Sequence, residues 1–139
     1  VRLADLIKSK RSRDGTVGVL GLSYKPGTDV VDASQGVLLC QALTDQGVPV
    51  VAYDPEAMDQ ARQVLGASVI FAESAEACVD KSDLVVITTP WKEFETIEPG
   101  AFGSSGSRVL IDCWRILEAS ETSAVTDYVP LGVGNSPNA

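Results

Sequence analysis

The chain contains no histidine. Imidazole is the commonest general base near neutral pH and a principal zinc ligand. Its absence excludes a serine or cysteine triad and leaves few routes to a metal centre. Cysteine is also scarce. Cys40, Cys78 and Cys113 are an odd number, widely spaced, with no CxxC pair. A zinc ribbon is excluded, and free thiols suit a reducing cytoplasm. No apolar run approaches the roughly 18 residues of a membrane span, and the start VRLADLIKSKR has no signal-peptide pattern. Positive charge is in short supply as well: 11 Lys and Arg against 19 Asp and Glu leave a net charge of −8. Such a surface repels nucleic acid overall, while a local cluster of donors can still take a small anion.

What is present is an ordinary globular balance, 45% hydrophobic and 22% charged over 139 residues, enough for one domain with a core. The sequence opens on Val1 rather than methionine, and we expect a piece of a longer protein. Residues 1–10 read as the end of an amphipathic helix, with Leu3, Leu6 and Ile7 on one side. Together with the turn that follows, residues 1–14 are expected to link this domain to an earlier one. Residues 15–131 form the domain, and 132–139 a flexible Gly/Asn/Pro-rich tail.

Within the domain, apolar strands alternate with helices. Strands are expected at 16–21, 48–53, 68–71, 83–88 and 108–112, and an edge strand at 127–131. Helices are expected at 35–46, stopped by Gly47, at 56–65, stopped by Gly66, and at 74–80, with one helical turn at 91–94. The runs DLVVIT and RVLID have the continuous apolarity of strands buried on both faces. The order predicts a doubly wound, mainly parallel α/β sheet with helices on both faces.

In such sheets ligands bind beyond the carboxyl ends of the strands. Those ends carry Ser23, Tyr24, Lys25 and Thr28 after the first strand, Asp54 after the second, Thr88, Thr89 and Trp91 after the fourth, and Cys113, Trp114 and Arg115 after the fifth. Lys25 and Arg115 are thus two cations at strand ends of an acidic chain. Two cations, hydroxyls and an aromatic near backbone N–H groups suit a phosphate with an attached ring. Each residue also has a plain reading. Lys25 is a solvated loop lysine, Arg115 pairs with Asp112, and Trp114 packs. Trp91 and Phe94 fill the core, and Cys113 is a packed thiol without a base. Asp54 either caps a helix before Pro55 or stands where a ribose-binding acid would. The glycines Gly18 and Gly21 do not make a dinucleotide fingerprint, because a long loop intervenes before the helix.

The run GVLGLSYKPGTDVVDASQG, followed by AYDPEAM, DLVVITTPWKEF and VLIDCWRIL, resembles the C-terminal, nucleotide-binding domain of UDP-glucose/GDP-mannose dehydrogenases. That family oxidises the C6 hydroxyl of a nucleotide sugar to a carboxylate, with NAD as oxidant and a cysteine-linked intermediate. The resemblance implies that Tyr24, Lys25, Trp114 and Arg115 meet a UDP-sugar, with UDP-glucose as the expected substrate. It implies NAD held mainly by an N-terminal domain of the same protein, a central domain with the catalytic cysteine, and a homodimer in the full-length enzyme. Neither the NAD fingerprint nor the catalytic cysteine segment is found here, so the chain alone is expected to be inactive. Where many members carry an arginine toward NAD, seven residues after the lysine, this chain has Asp32. A different class of function, a nucleotide-sensing or interaction module on the same scaffold, is the alternative reading.

Overall fold

The computed structural model describes residues 2–12, 14–102, 108–125 and 127–131. Six strands, β1 (Val17–Leu20), β2 (Val50–Tyr53), β3 (Ile70–Phe71), β4 (Leu84–Ile87), β5 (Val109–Asp112) and β6 (Asp127–Pro130), form one sheet in the order β3-β2-β1-β4-β5-β6. Every neighbouring pair is parallel. This is the strand order of a dinucleotide-binding sheet, with its topological switch point between β1 and β4.

The helices are α1 (Arg2–Lys10), α2 (Gln35–Asp45), α3 (Met58–Leu65), α4 (Ala75–Asp80), α5 (Lys92–Glu95) and α6 (Thr122–Val125). Alternate residues of each central strand feed two separate cores. Val17, Val19, Val50, Ala52, Leu84 and Val86 face α1, α2 and α3. Leu20, Val51, Val85, Ile87 and Leu110 face α4, α5 and the buried Phe102. The strands are therefore covered on both faces, which is why their sequences run apolar without alternation. Helix α1 belongs to the first core, since its Ala4 and Ile7 are fully buried.

Local chemistry sets the boundaries. Ser34 and Ser74 cap α2 and α4, accepting from Val37 N–H and Ala77 N–H. Helix α3 starts at Met58 rather than at the expected residue 56. Asp54 Oδ1 takes the N–H groups of Glu56 and Ala57 into a turn first, at 2.8 and 2.9 Å. The expected strand at 68–71 shortens to Ile70–Phe71 because a 3-10 turn, Gly66–Ser68, follows α3 directly. The single helical turn falls at Lys92–Glu95, with Trp91 before it. Helix α6 and a 3-10 turn at Pro99–Phe102 lie where the sequence carried no periodic signal. The tail 132–139 lies outside the described residues. No helix among those described is long and apolar enough to cross a membrane.

Candidate nucleotide site

The carboxyl ends of β1, β4 and β5 are tied to one another by their own loops. Thr88, just past β4, donates its hydroxyl to the carbonyl of Gly21 at 2.7 Å. Thr89 donates to Ser23 O at 3.0 Å. The Trp114 indole N–H donates to Thr88 O, also at 3.0 Å. The 21–34 loop and the 113–117 loop thus both rest on residues 88–91. Strand β4 separates them, so the strand ends they leave lie on the order of 10 Å apart, two strand spacings, on the edge where sheets of this order take ligands in a crevice.

The four residues expected at the ligand lie on these two loops, Tyr24 and Lys25 after β1 and Trp114 and Arg115 after β5. Tyr24 is 60% exposed, and its N–H donates to Val30 O, which closes the loop on itself. Lys25 is exposed and makes no ion pair among the described residues. Trp114 is 40% exposed although its N–H is anchored, so ring surface is left for a partner. Arg115 adopts φ +58°, a left-handed conformation that a non-glycine residue holds only when its surroundings impose it.

The surroundings that impose it centre on Asp112, which is fully buried. Asp112 accepts from Trp114 N–H at 3.2 Å, Leu117 N–H at 2.8 Å and the Tyr128 hydroxyl at 2.8 Å. The plain reading of Arg115 as a partner of Asp112 is therefore corrected. The Asp112 oxygens serve backbone N–H groups and a phenol, and the guanidinium pairs instead with Glu118, at 2.7 Å. That pair is partly exposed, so it holds Arg115 weakly and leaves it free to exchange Glu118 for another anion. Tyr128, half-buried and donating to Asp112, has its hydroxyl pKa pushed well above the usual value by partial desolvation and by that carboxylate. Cys113 is also unfit as a nucleophile: burial, with Asp112 beside it, pushes its thiol up to about 12.

Asp54 follows its capping reading, and its second oxygen is used inside the protein rather than left for a ribose. Its Oδ1 caps the turn before α3. Its Oδ2 accepts from Leu22 N–H (2.7 Å), Ser23 N–H (2.9 Å), the Ser23 hydroxyl (2.9 Å) and the Trp91 indole N–H (3.1 Å). Sequence reasoning placed Asp54 and Trp91 at strand ends but gave no sign that they meet, 37 residues apart. Phe94 is core, as its plain reading held. Trp91 is half-buried and polar in its use.

A dinucleotide would need an acid at the end of β2 free to accept from a ribose hydroxyl, and N–H groups after β1 free for its pyrophosphate. Here the acid is saturated, and it is the acid that occupies those N–H groups. The residues of this chain do not fit NAD in the crevice where their own fold would hold it.

Residues 18–119 match the UDP-glucose/GDP-mannose dehydrogenase family, UDP binding domain. The chain belongs to this family. The UDP-glucose 6-dehydrogenase AglM of Haloferax volcanii is 37% identical over 121 residues, which is 86% of this chain and 28% of that protein. The UDP-glucose 6-dehydrogenase of Rhizobium meliloti is 37% identical over 112 residues, 80% of this chain and 25% of that one. Among solved structures, a UDP-glucose dehydrogenase from Pyrobaculum islandicum superposes with a TM-score of 0.76 at 31% identity, covering 93% of this chain and 28% of that one. An imine reductase from a Pseudomonas species, at 14% identity and a TM-score of 0.61, shares the fold alone. The UDP-glucose/GDP-mannose dehydrogenase domain seen here therefore spans under a third of the length of these dehydrogenases.

Proposed function

We propose that this domain holds the nucleoside diphosphate of a UDP-sugar, with UDP-glucose as the substrate of the whole protein. Lys25 and Arg115 meet the diphosphate, and Tyr24 and Trp114 flank the nucleoside. The observation that carries this reading is the pair of loops stitched to residues 88–91. On an acidic chain they carry two cations, Lys25 past β1 and Arg115 past β5, the latter paired with a partly exposed Glu118. Diphosphate oxygens accept from both cations, and the indole offers a face to a base.

The oxidation itself falls to other parts of the same protein. NAD is held by a preceding domain, and the catalytic cysteine by a central one that also makes the homodimer. Residues 1–14 lead in from that preceding domain while their helix α1 packs on the first core, 15–131 are the nucleotide domain, and 132–139 follow it. The misfit of NAD to the crevice after β1 and the high pKa of Cys113 both support this division. The free thiols Cys40, Cys78 and Cys113 suit the cytoplasm. A product with a sugar carboxylate would serve polysaccharide synthesis.

Calorimetry with UDP on the 139-residue chain tests the reading. We expect saturable binding of UDP, none of NAD, and no NAD reduction with UDP-glucose. Lys25→Ala and Arg115→Ala should each weaken UDP binding about tenfold or more, the scale of one charge-assisted contact to a phosphate. Saturable NAD binding without UDP binding would overturn it.

A further inference from the structure

The Asp54 carboxylate is buried, 1% exposed, and forms no ion pair among the described residues. A buried anion without a counter-cation is tolerated only when donors fill its lone pairs. Asp54 has six such contacts, drawn from three segments: the start of the 21–34 loop, the turn before α3, and Trp91 after β4.

The turn alone does not call for a carboxylate. Asparagine or serine caps as well as aspartate. What calls for one is the second oxygen, because every group around it is a donor. The amide of an asparagine would offer either an NH₂ to those donors or one to the turn, and the other set would lose its acceptor. The carboxylate is thus suited to the 22–23 segment, and that segment leads straight into Tyr24 and Lys25. Neither of those side chains makes a hydrogen bond or ion pair of its own among the described residues. Their place beside the crevice is inherited from Ser23, gripped by Asp54 on one side and by Thr89 on the other.

We propose that Asp54 is a positioning residue for the nucleotide. Its carboxylate acts as an internal anion on the N–H groups after β1 and fixes the strand end from which Lys25 reaches the diphosphate. Trp91 and the Ser23 hydroxyl complete the latch. This rests on the UDP reading above.

The test is a UDP titration of the full chain as wild type, Asp54→Asn, Trp91→Phe and Leu65→Ala. Leu65, the last residue of α3, is buried in the first core and serves as a control for lost stability. Indole N–H resonances are followed alongside; the chain has two tryptophans, and Trp91→Phe assigns them. Asp54→Asn is expected to weaken UDP binding about tenfold and Trp91→Phe about threefold, while Leu65→Ala stays within about twofold at a temperature where all are folded. The Trp91 indole signal should move in Asp54→Asn before UDP is added. Wild-type affinity in Asp54→Asn, or in Trp91→Phe should the first not fold, overturns the proposal while the UDP reading stands. Absence of UDP binding by the wild type overturns that reading, and this proposal with it.

Discussion

Trp114 shows how one side chain can be fixed and available together. Its indole N–H is spent on Thr88 O, yet 40% of the residue is exposed. A base stacked on that ring would gain contact at no cost in ordering the ring. Stacking of a base on an aromatic side chain contributes about 1–3 kcal/mol, so Trp114→Ala should weaken UDP binding roughly fivefold to a hundredfold. Inorganic pyrophosphate has no base, and its binding should be unchanged in the same variant. Lys25→Ala and Arg115→Ala should weaken both ligands. Trp114→Phe keeps a ring and loses the anchor, and is expected to fall between wild type and Trp114→Ala. Equal losses for UDP and pyrophosphate in Trp114→Ala would place Trp114 away from the base. The sequence singled out Lys25 and Arg115 as candidates, because two cations in strand-end loops stand out on an acidic chain. It did not carry the partner of Arg115, which depends on the left-handed backbone at that residue and on Asp112 being used up by Trp114, Leu117 and Tyr128.

At the scale of elements, the close approach of α2 to the end of β1 shapes the site. Alanine inside a helix usually gains about 0.5–1 kcal/mol over glycine. At Gly36 the sign reverses. An added methyl would lie 1.9 Å from Gly21 O and 2.9 Å from Thr88 Oγ1, and the first of these is backbone that cannot rotate away. Gly36→Ala must push α2 off the strand end or shift the 21–34 loop. Either way it should cost roughly 3 kcal/mol in denaturant unfolding and loosen UDP binding as well. Stability equal to or above wild type would mean that α2 does not sit this close. The strands and helices themselves were legible, because apolar periodicity and the serine caps are local signals. The turn before α3 was legible in part, as Asp-Pro marks a helix start but does not say that Asp54 also reaches back across the sheet. Helix α6 was not legible, being four residues held by tertiary contacts rather than by a pattern of its own.

For the molecule as a whole, the two cores on either side of one parallel sheet each contain a buried thiol, Cys40 on α2 and Cys78 on α4. Burial pushes both up from 9.0 to about 12. For Cys40 the nearby Cys78 adds to this, whereas Cys78 is partly relieved by hydrogen bonds from its surroundings. A thiol that ionises near 9 when unfolded and near 12 when folded holds its proton more tightly in the fold. Its contribution to stability is therefore whole below pH 9 and is lost as pH rises through 12. Each such group steepens the fall by up to about 1.4 kcal/mol per pH unit within that window. The net charge of −8 adds a further alkaline penalty that both wild type and thiol variants share. Urea unfolding at steps between pH 8 and pH 11 should thus show wild-type stability dropping more steeply above pH 9 than that of a Cys40→Ala/Cys78→Ala double variant, with the difference vanishing below pH 8. Parallel curves for the two proteins would mean that the thiols ionise as easily inside the cores as outside, and that the sheet is less completely covered than its two faces of apolar side chains indicate.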